Sequence, residues 1–456
     1  MRYLNRPRSH VKKWHLTFAA LSVVYLVVSI QLASRLWYWW DEWTILRSQD
    51  SQFFGLFQGH FGNFFPLGRL VFLAETRVFG NFYAGIVALN SLLVLITCYT
   101  VWRIVTHTSP KDKWLPLVSA GGLITYATAA GVVFDVVWGL QVAWLLSILL
   151  AALGPYLVIV HGLHPKYSIA LLLLSWLSFN SNFIPATLLY LALMFIGQHK
   201  PLSVRWRFNY LIFGSVAGLL TGTGLLIARL NPSVELQAQS SGVEMLDSFS
   251  ELWSALAETA AGSILWLLTP ITFLLGTRPD LLLEYGPLLA ASPRLLVMII
   301  VSIAAVALGV IGVRNLQNLK PIFVVLLPLL TVMALISFRG QGDFDTSFNL
   351  RYAPSVLLPA TLFWILLLSP NAQSRGLINH GLSLAITLLI AVTAVPRTDS
   401  FVSQNPDSLV IFGRDSQQSQ LELLKNCQNA GPVGIESAPF QSFTPTEFCD
   451  LFTSLQ

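Results

Sequence analysis

Long apolar runs separated by short polar breaks make up most of this chain, and the length of the runs decides what they are. Stretches near 16–37, 82–105, 114–133, 138–160, 167–180, 183–197, 208–229, 295–313, 321–338, 353–369 and 377–396 carry almost no charge. At about 1.5 Å of rise per residue, a helix of about 20 apolar residues crosses a hydrocarbon core about 30 Å thick. The pattern therefore predicts an all-α polytopic membrane protein with about eleven transmembrane helices, the fifth and sixth of them short. An odd number of crossings puts the two termini on opposite sides.

Composition agrees with that reading. Hydrophobic residues make up 54% of the chain and charged residues 11%, whereas a water-soluble domain carries roughly a quarter charged. The charges also partition. Arg2, Arg6, Arg8, Lys12 and Lys13 precede the first span, and Arg103, Lys111, Lys113, Lys166, Lys200, Arg205, Arg207, Arg314, Lys320 and Arg375 fall in alternate short loops, with Asp112 the only acid among them. Basic residues in short loops resist translocation, so these loops and the amino terminus are expected on the cytoplasmic side of the cell membrane and the carboxyl terminus outside. The net charge of +5 then reports topology and calls for no nucleic-acid partner. The first span is too long for the core of a secretory signal, and Trp37, Tyr38, Trp39 and Trp40 stand where a cleavage site would need small residues.

The predicted organisation is one multi-span domain over 1–396 and a small extracytoplasmic segment over 397–456. Cytoplasmic loops are too short to hold a catalytic domain, so chemistry is expected outside. Two outer loops are long enough to contribute, 38–81 and 230–294. The first mixes aromatics with Asp41, Glu42, His60, Arg69, Glu75 and Arg77, a composition suited to helices lying along the interface. The second contains an apolar run over 264–275, which is expected to be re-entrant or surface-lying, because counting it as a crossing would invert the later charge pattern. Cys427 and Cys449 both fall in the carboxyl-terminal segment, where an oxidising exterior allows a disulfide; the alternative is two free thiols.

Candidate chemistry concentrates in the first outer loop. Outside the cell there are no nucleotide sugars, so an energy-rich donor must arrive attached to a lipid. A sugar carried on polyprenyl phosphate needs a carboxylate to take the proton of an attacking hydroxyl. It also needs cations where charge grows on the departing phosphate. Asp41 and Glu42 supply carboxylates directly after the first span, and His60 and Arg69 supply cations further along. Adjacent residues on a helix point about 100° apart, so Asp41 and Glu42 are assigned different tasks: Asp41 as base, Glu42 to orient a neighbour or bind acceptor. Read without function, both are solvated residues ending a span, and His60 and Arg69 belong to an interfacial helix. Trp37, Trp39, Trp40 and Trp43 read as interface anchors that could also stack on a sugar ring. Arg351, beside Tyr352 at the mouth of the tenth span, either grips phosphate oxygens or pairs with Asp343 or Asp345. No His/Cys cluster with ligand spacing is present, so no metal site is expected.

An acidic pair after the first span, about a dozen spans and no cytoplasmic domain together resemble the GT-C class of polyprenyl-phosphate-sugar-dependent glycosyltransferases. The resemblance is clearest over roughly the first 200 residues. It implies that Asp41 is the catalytic base and that Asp135, in the next outer loop, is a second functional carboxylate binding a sugar hydroxyl or, as in some members, a divalent metal. Trp138 to Gln141, Arg351 and Tyr352 are similar to patterns in bacterial members. The partners implied are a polyprenyl-phosphate sugar as co-substrate, an acceptor glycan, lipid or protein of the cell envelope, and membrane lipids, with no cofactor. Two other classes stay open on the residues alone: a lipid-linked oligosaccharide polymerase or ligase, and a transporter or flippase.

Overall fold

A computed structural model describes residues 9–33, 66–78, 83–108, 115–128 and 130–161, together with isolated positions elsewhere, among them Glu42, Ile45, Leu358, Cys427 and Cys449. The described part is all helical. Six α-helices follow one another: α1 (Ser9–Ala33), α2 (Pro66–Val78), α3 (Tyr83–Thr108), α4 (Leu115–Thr128), α5 (Ala130–Val137) and α6 (Val142–His161). A single 3-10 turn, Gly139–Gln141, leads into α6.

α3 is the centre of this assembly and packs against α1, α2, α4, α5 and α6. Its residues 83–107 form the one described helix long and apolar enough to cross a membrane. Hydroxyls inside it are satisfied by the helix itself: Ser91 Oγ donates to the Val87 carbonyl at 2.9 Å and Thr97 Oγ1 to that of Leu93 at 2.7 Å. That device lets a polar residue sit in an apolar helix without an outside partner. At its far end Trp102 Nε1 donates to the Pro116 carbonyl at 2.9 Å, tying α3 to the start of α4. Tyr25 Oη reaches from α1 to the Ala127 carbonyl near the end of α4, at 3.0 Å.

The distribution of polarity is the reverse of a water-soluble bundle. Leu16, Val23, Val24, Val27 and Val28 form an exposed stripe on α1, and Leu92 and Ile96 are exposed on α3. Glu42, Arg69, Glu75, Asn90, Ser119, Asp135 and Gln141 are buried. α2 shows the inversion within one helix. Pro66, Arg69, Phe72 and Glu75, spaced by three, are buried while Leu70 faces out.

The segment around Asp135 departs from expectation. In place of a short outer loop between two spans, the chain is helical through Val137 and Asp135 is fully buried. The break comes at Trp138, whose backbone is extended, and the 3-10 turn follows at once. The outer loop read at 230–294, nearly all of the spans read from 167 onward, and nearly all of 397–456 lie outside the described residues. In the carboxyl-terminal segment, Cys427 and Cys449 are joined by a disulfide.

Candidate functional site

Every helix end must find partners for the backbone groups its own ladder leaves over. At the joint between α5 and α6 those partners come from two side chains of α3 and one of the segment between α1 and α2. Asn90 Nδ2 lies 3.5, 3.1 and 3.2 Å from the carbonyls of Asp135, Val136 and Trp138. Tyr83 Oη lies 2.9 Å from the carbonyl of Val137. Tyr83 and Asn90 stand seven residues apart, two helical turns, so both project from the same side of α3. The amide groups entering α6 are also accounted for. Gly139 N–H donates to Tyr83 Oη at 3.1 Å, Leu140 N–H to Glu42 Oε1 at 3.0 Å, and Gln141 N–H to the Trp138 carbonyl at 3.0 Å. Val142 N–H closes the turn on the Gly139 carbonyl.

Glu42 is therefore a structural participant. Its carboxyl group reaches the amino-terminal end of the turn that starts α6, where amide dipoles favour an acceptor oxygen. Glu42 Oε1 is also 3.1 Å from Tyr83 Oη, and the residue is wholly inaccessible to solvent. Gly139 is the necessary neighbour. A β-carbon there would stand 2.8 Å from Glu42 Oε1, 3.0 Å from Ile86 Cγ2 and 3.3 Å from Phe72 Cζ. Only a residue without a side chain admits the acid, α3 and α2 to the same spot.

Phe72 brings α2 to the joint, and with it the charged residues on the same face. Arg69 is 2% exposed and Glu75 3%. Loss of hydration draws the Arg69 guanidinium down to about 10, because burial penalises its charged form. Asp135, fully buried, shares α5 with the carbonyls that Asn90 collects. Of the candidate site residues, the structure thus brings Glu42 to the α5–α6 joint, with Asp135 in the helix that ends there and Arg69 on the α2 face that meets it. Asp41, His60, Arg351 and Tyr352 lie outside the described residues. Among the described residues, no group of three or more His, Cys, Asp or Glu side chains converges as a metal site would require.

Tyr83 and Asn90 are the participants that sequence reasoning passed over, whereas Gly139 lies in the stretch Trp138 to Gln141 that it singled out. The available signal was Tyr83 and Asn90 as polar residues at helical spacing within an apolar span. No family model matches the chain, and no similar curated protein or solved structure is found.

Proposed function

We propose that the chain is a multi-span membrane glycosyltransferase of the GT-C kind. It would move a sugar from polyprenyl phosphate to a cell-envelope acceptor at the outer face. The observation that carries the proposal is the burial of Glu42, Arg69, Glu75 and Asp135 within a bundle whose outward surface is apolar. Ionisable groups in such surroundings are costly and mark function. Three of them, Glu42, Arg69 and Glu75, belong to the stretch 38–81 that follows the first span, and Glu42 directly follows Asp41, the assigned base. About eleven spans with a cytoplasmic amino terminus complete the reading.

In the proposed reaction an acceptor hydroxyl oxygen attacks the anomeric carbon as the bond from that carbon to the phosphate oxygen breaks. The configuration at the carbon inverts. The hydroxyl proton goes to Asp41, and the bonding pair leaves with polyprenyl phosphate, whose charge is met by Arg351 and by His60 or Arg69. The test is transfer by purified protein in detergent, with a panel of polyprenyl-phosphate sugars. Asp41→Asn is expected to abolish transfer at unchanged expression and unchanged Cys98 protection, since Cys98 is a free, buried thiol. Undiminished transfer by that variant sinks the mechanism.

A transporter is the second reading, and one observation favours it: a short helix and a 3-10 turn meeting at a buried acid resemble the interrupted helices that bind solutes within membranes. Detergent solution separates the two. A transferase turns over there, and a transporter has no compartments to connect.

A further inference from the structure

At the far end of α3 from the α5–α6 joint, a half-buried cation meets α1 without an acid beside it. Arg103 Nη1 lies 3.1 Å from His15 Nε2, and among the described residues this ring is the one hydrogen-bond partner of the guanidinium, whose Nε is shielded and unbonded. A guanidinium only donates, so His15 Nε2 accepts and the neutral ring carries its hydrogen on Nδ1. That nitrogen is 3.4 Å from Tyr99 Oη. The tyrosine oxygen therefore accepts from the ring, and its own hydrogen is left to donate. Tyr99 and Arg103 stand four residues apart on one face of α3 and are joined to the same imidazole, so their remaining donors lie together. Aromatic packing holds them there. His15 faces Trp102 edge-on at 5.1 Å, Phe18 packs on Tyr99 at 5.6 Å and on Trp102 at 5.8 Å, and Trp102 is tied to the Pro116 carbonyl.

We infer that Arg103 and Tyr99, braced by His15, form a binding site for the phosphate of an anionic phospholipid in the leaflet on the amino-terminal side of α1. A phosphate oxygen accepts and never donates, and a pair of them suits the guanidinium fork. The surface beside the site fits the rest of a lipid. Leu92, Ile96, Tyr99 and Arg103 follow one another at spacings of four, three and four, which keeps them on one face of α3. Leu92 and Ile96 are exposed, and Tyr99 and Arg103 half-buried. From Leu92 to Arg103 the helix rises about 16 Å, against about 15 Å for half of a hydrocarbon core. With Arg103 at headgroup level, Leu92 stands near the bilayer midplane, and an acyl chain can lie along the stripe while its phosphate meets the donors. A free phosphate gains nothing from that stripe. Lys12 and Lys13 precede His15 on α1 and add positive charge at the same end, which favours an anionic headgroup. The site needs α3 to span a membrane, and it is independent of the reaction that the chain performs.

Thermal unfolding of the purified full-length protein tests this, in detergent micelles carrying either dioleoyl-phosphatidylglycerol or dioleoyl-phosphatidylcholine, whose phosphate brings its own cation. At about pH 7.5 the imidazole is neutral. A ligand that binds only the folded state raises its stability, so phosphatidylglycerol should raise the wild-type midpoint further than phosphatidylcholine. In Arg103→Gln the phosphatidylglycerol needed for half of that gain should rise about tenfold or more, the usual weight of a hydrogen bond to a charged group. Tyr99→Phe should show a smaller rise. Arg205→Gln removes the same charge from another loop read as cytoplasmic and should behave as the wild type. Should Arg103→Gln fail to fold, Tyr99→Phe and Arg103→Lys, which keeps the charge without the fork, carry the test. Inorganic phosphate alone should give no comparable gain; a gain that depends on Arg103 makes free phosphate the ligand and overturns the lipid assignment. Equal gains from the two lipids, wild-type behaviour in the Arg103 and Tyr99 variants, or an equal loss in Arg205→Gln overturns the site.

Discussion

Gly139 shows how much of the site depends on one absent side chain. Alanine there would place a methyl carbon 2.8 Å from Glu42 Oε1 and 3.0 Å from Ile86 Cγ2. The acid is held by Leu140 N–H and Tyr83 and cannot swing aside freely. Gly139→Ala is expected to cost about 1–3 kcal/mol, the usual cost of overpacking a close-packed interior. The measurement is faster maleimide modification of Cys98, whose thiol is buried in α3. Asn90 tests the same joint from the other side. Asn90→Leu keeps a similar volume but withdraws the amide from the carbonyls of Asp135, Val136 and Trp138. Buried acceptors left without donors cost about 1–3 kcal/mol each, so this substitution should destabilise more than Asn90→Asp with its acid protonated. Denaturant titration in detergent at low and neutral pH would compare them.

Among the elements, α1 and α3 meet in an aromatic cluster with a pH-sensitive contact. His15 faces Trp102 edge-on with ring centroids 5.1 Å apart, Phe18 stacks on Trp102 at 5.8 Å, and Arg103 Nη1 lies 3.1 Å from His15 Nε2. That nitrogen accepts from the guanidinium only when the imidazole is neutral. Burial first, and the Arg103 charge second, lower the His15 pKa from its ordinary 6.5. A lowered value means that the unfolded chain takes up the proton first. The contribution is therefore whole above 6.5 and is lost as pH falls from there through the folded value. Between about pH 7.5 and about pH 5 the wild type should lose more thermal stability than His15→Gln, and equal losses would show that the contact carries no linkage.

The same elements show what was legible in the sequence. The helix Tyr83–Thr108 lies where an unbroken apolar run predicts one, because a run of that length has few other structures open to it. The run read as 114–133 resolves into α4 and the start of α5, and the loop expected at Asp135 is helix. Apolar periodicity does not report where backbone groups will be satisfied from elsewhere. The joint was hidden for that reason. Glu42 and Leu140 are 98 residues apart, and Tyr83 and Asn90 look like stray polar residues until the carbonyls they serve are known. The acidic pair drew attention through its position, yet the described member of it, Glu42, is engaged with backbone. Asp41, His60, Arg351 and Tyr352 lie outside the described residues, so their roles rest on the sequence.

For the molecule as a whole, the apolar exterior and polar interior of the described helices fit a lipid surround, where every backbone and side-chain polar group must find its partner within the protein. The topology proposed from the basic loops has a direct check. Alkaline phosphatase fused after Gln456 should be active, and a fusion within 198–207 should not. The Cys427–Cys449 disulfide gives a second reading of the same question, since cysteines on the cytoplasmic side would be kept reduced. Both cysteines should resist alkylation until a reductant is added. Active fusions at both sites would reject the charge-derived orientation.

The bond from Leu140 to Glu42 also sets a schedule for assembly. A ribosome working at about 5–20 residues per second needs about 5–20 s to make the 98 residues between them. During that interval the segment after α1 has been made while the amide that will receive its acid does not yet exist. Glu42 must wait in water, against a lipid headgroup or in the care of the insertion machinery. Substitutions at Gly139 that leave the finished protein intact can then still lower its yield, because they act on a docking event that the early helices are already waiting for.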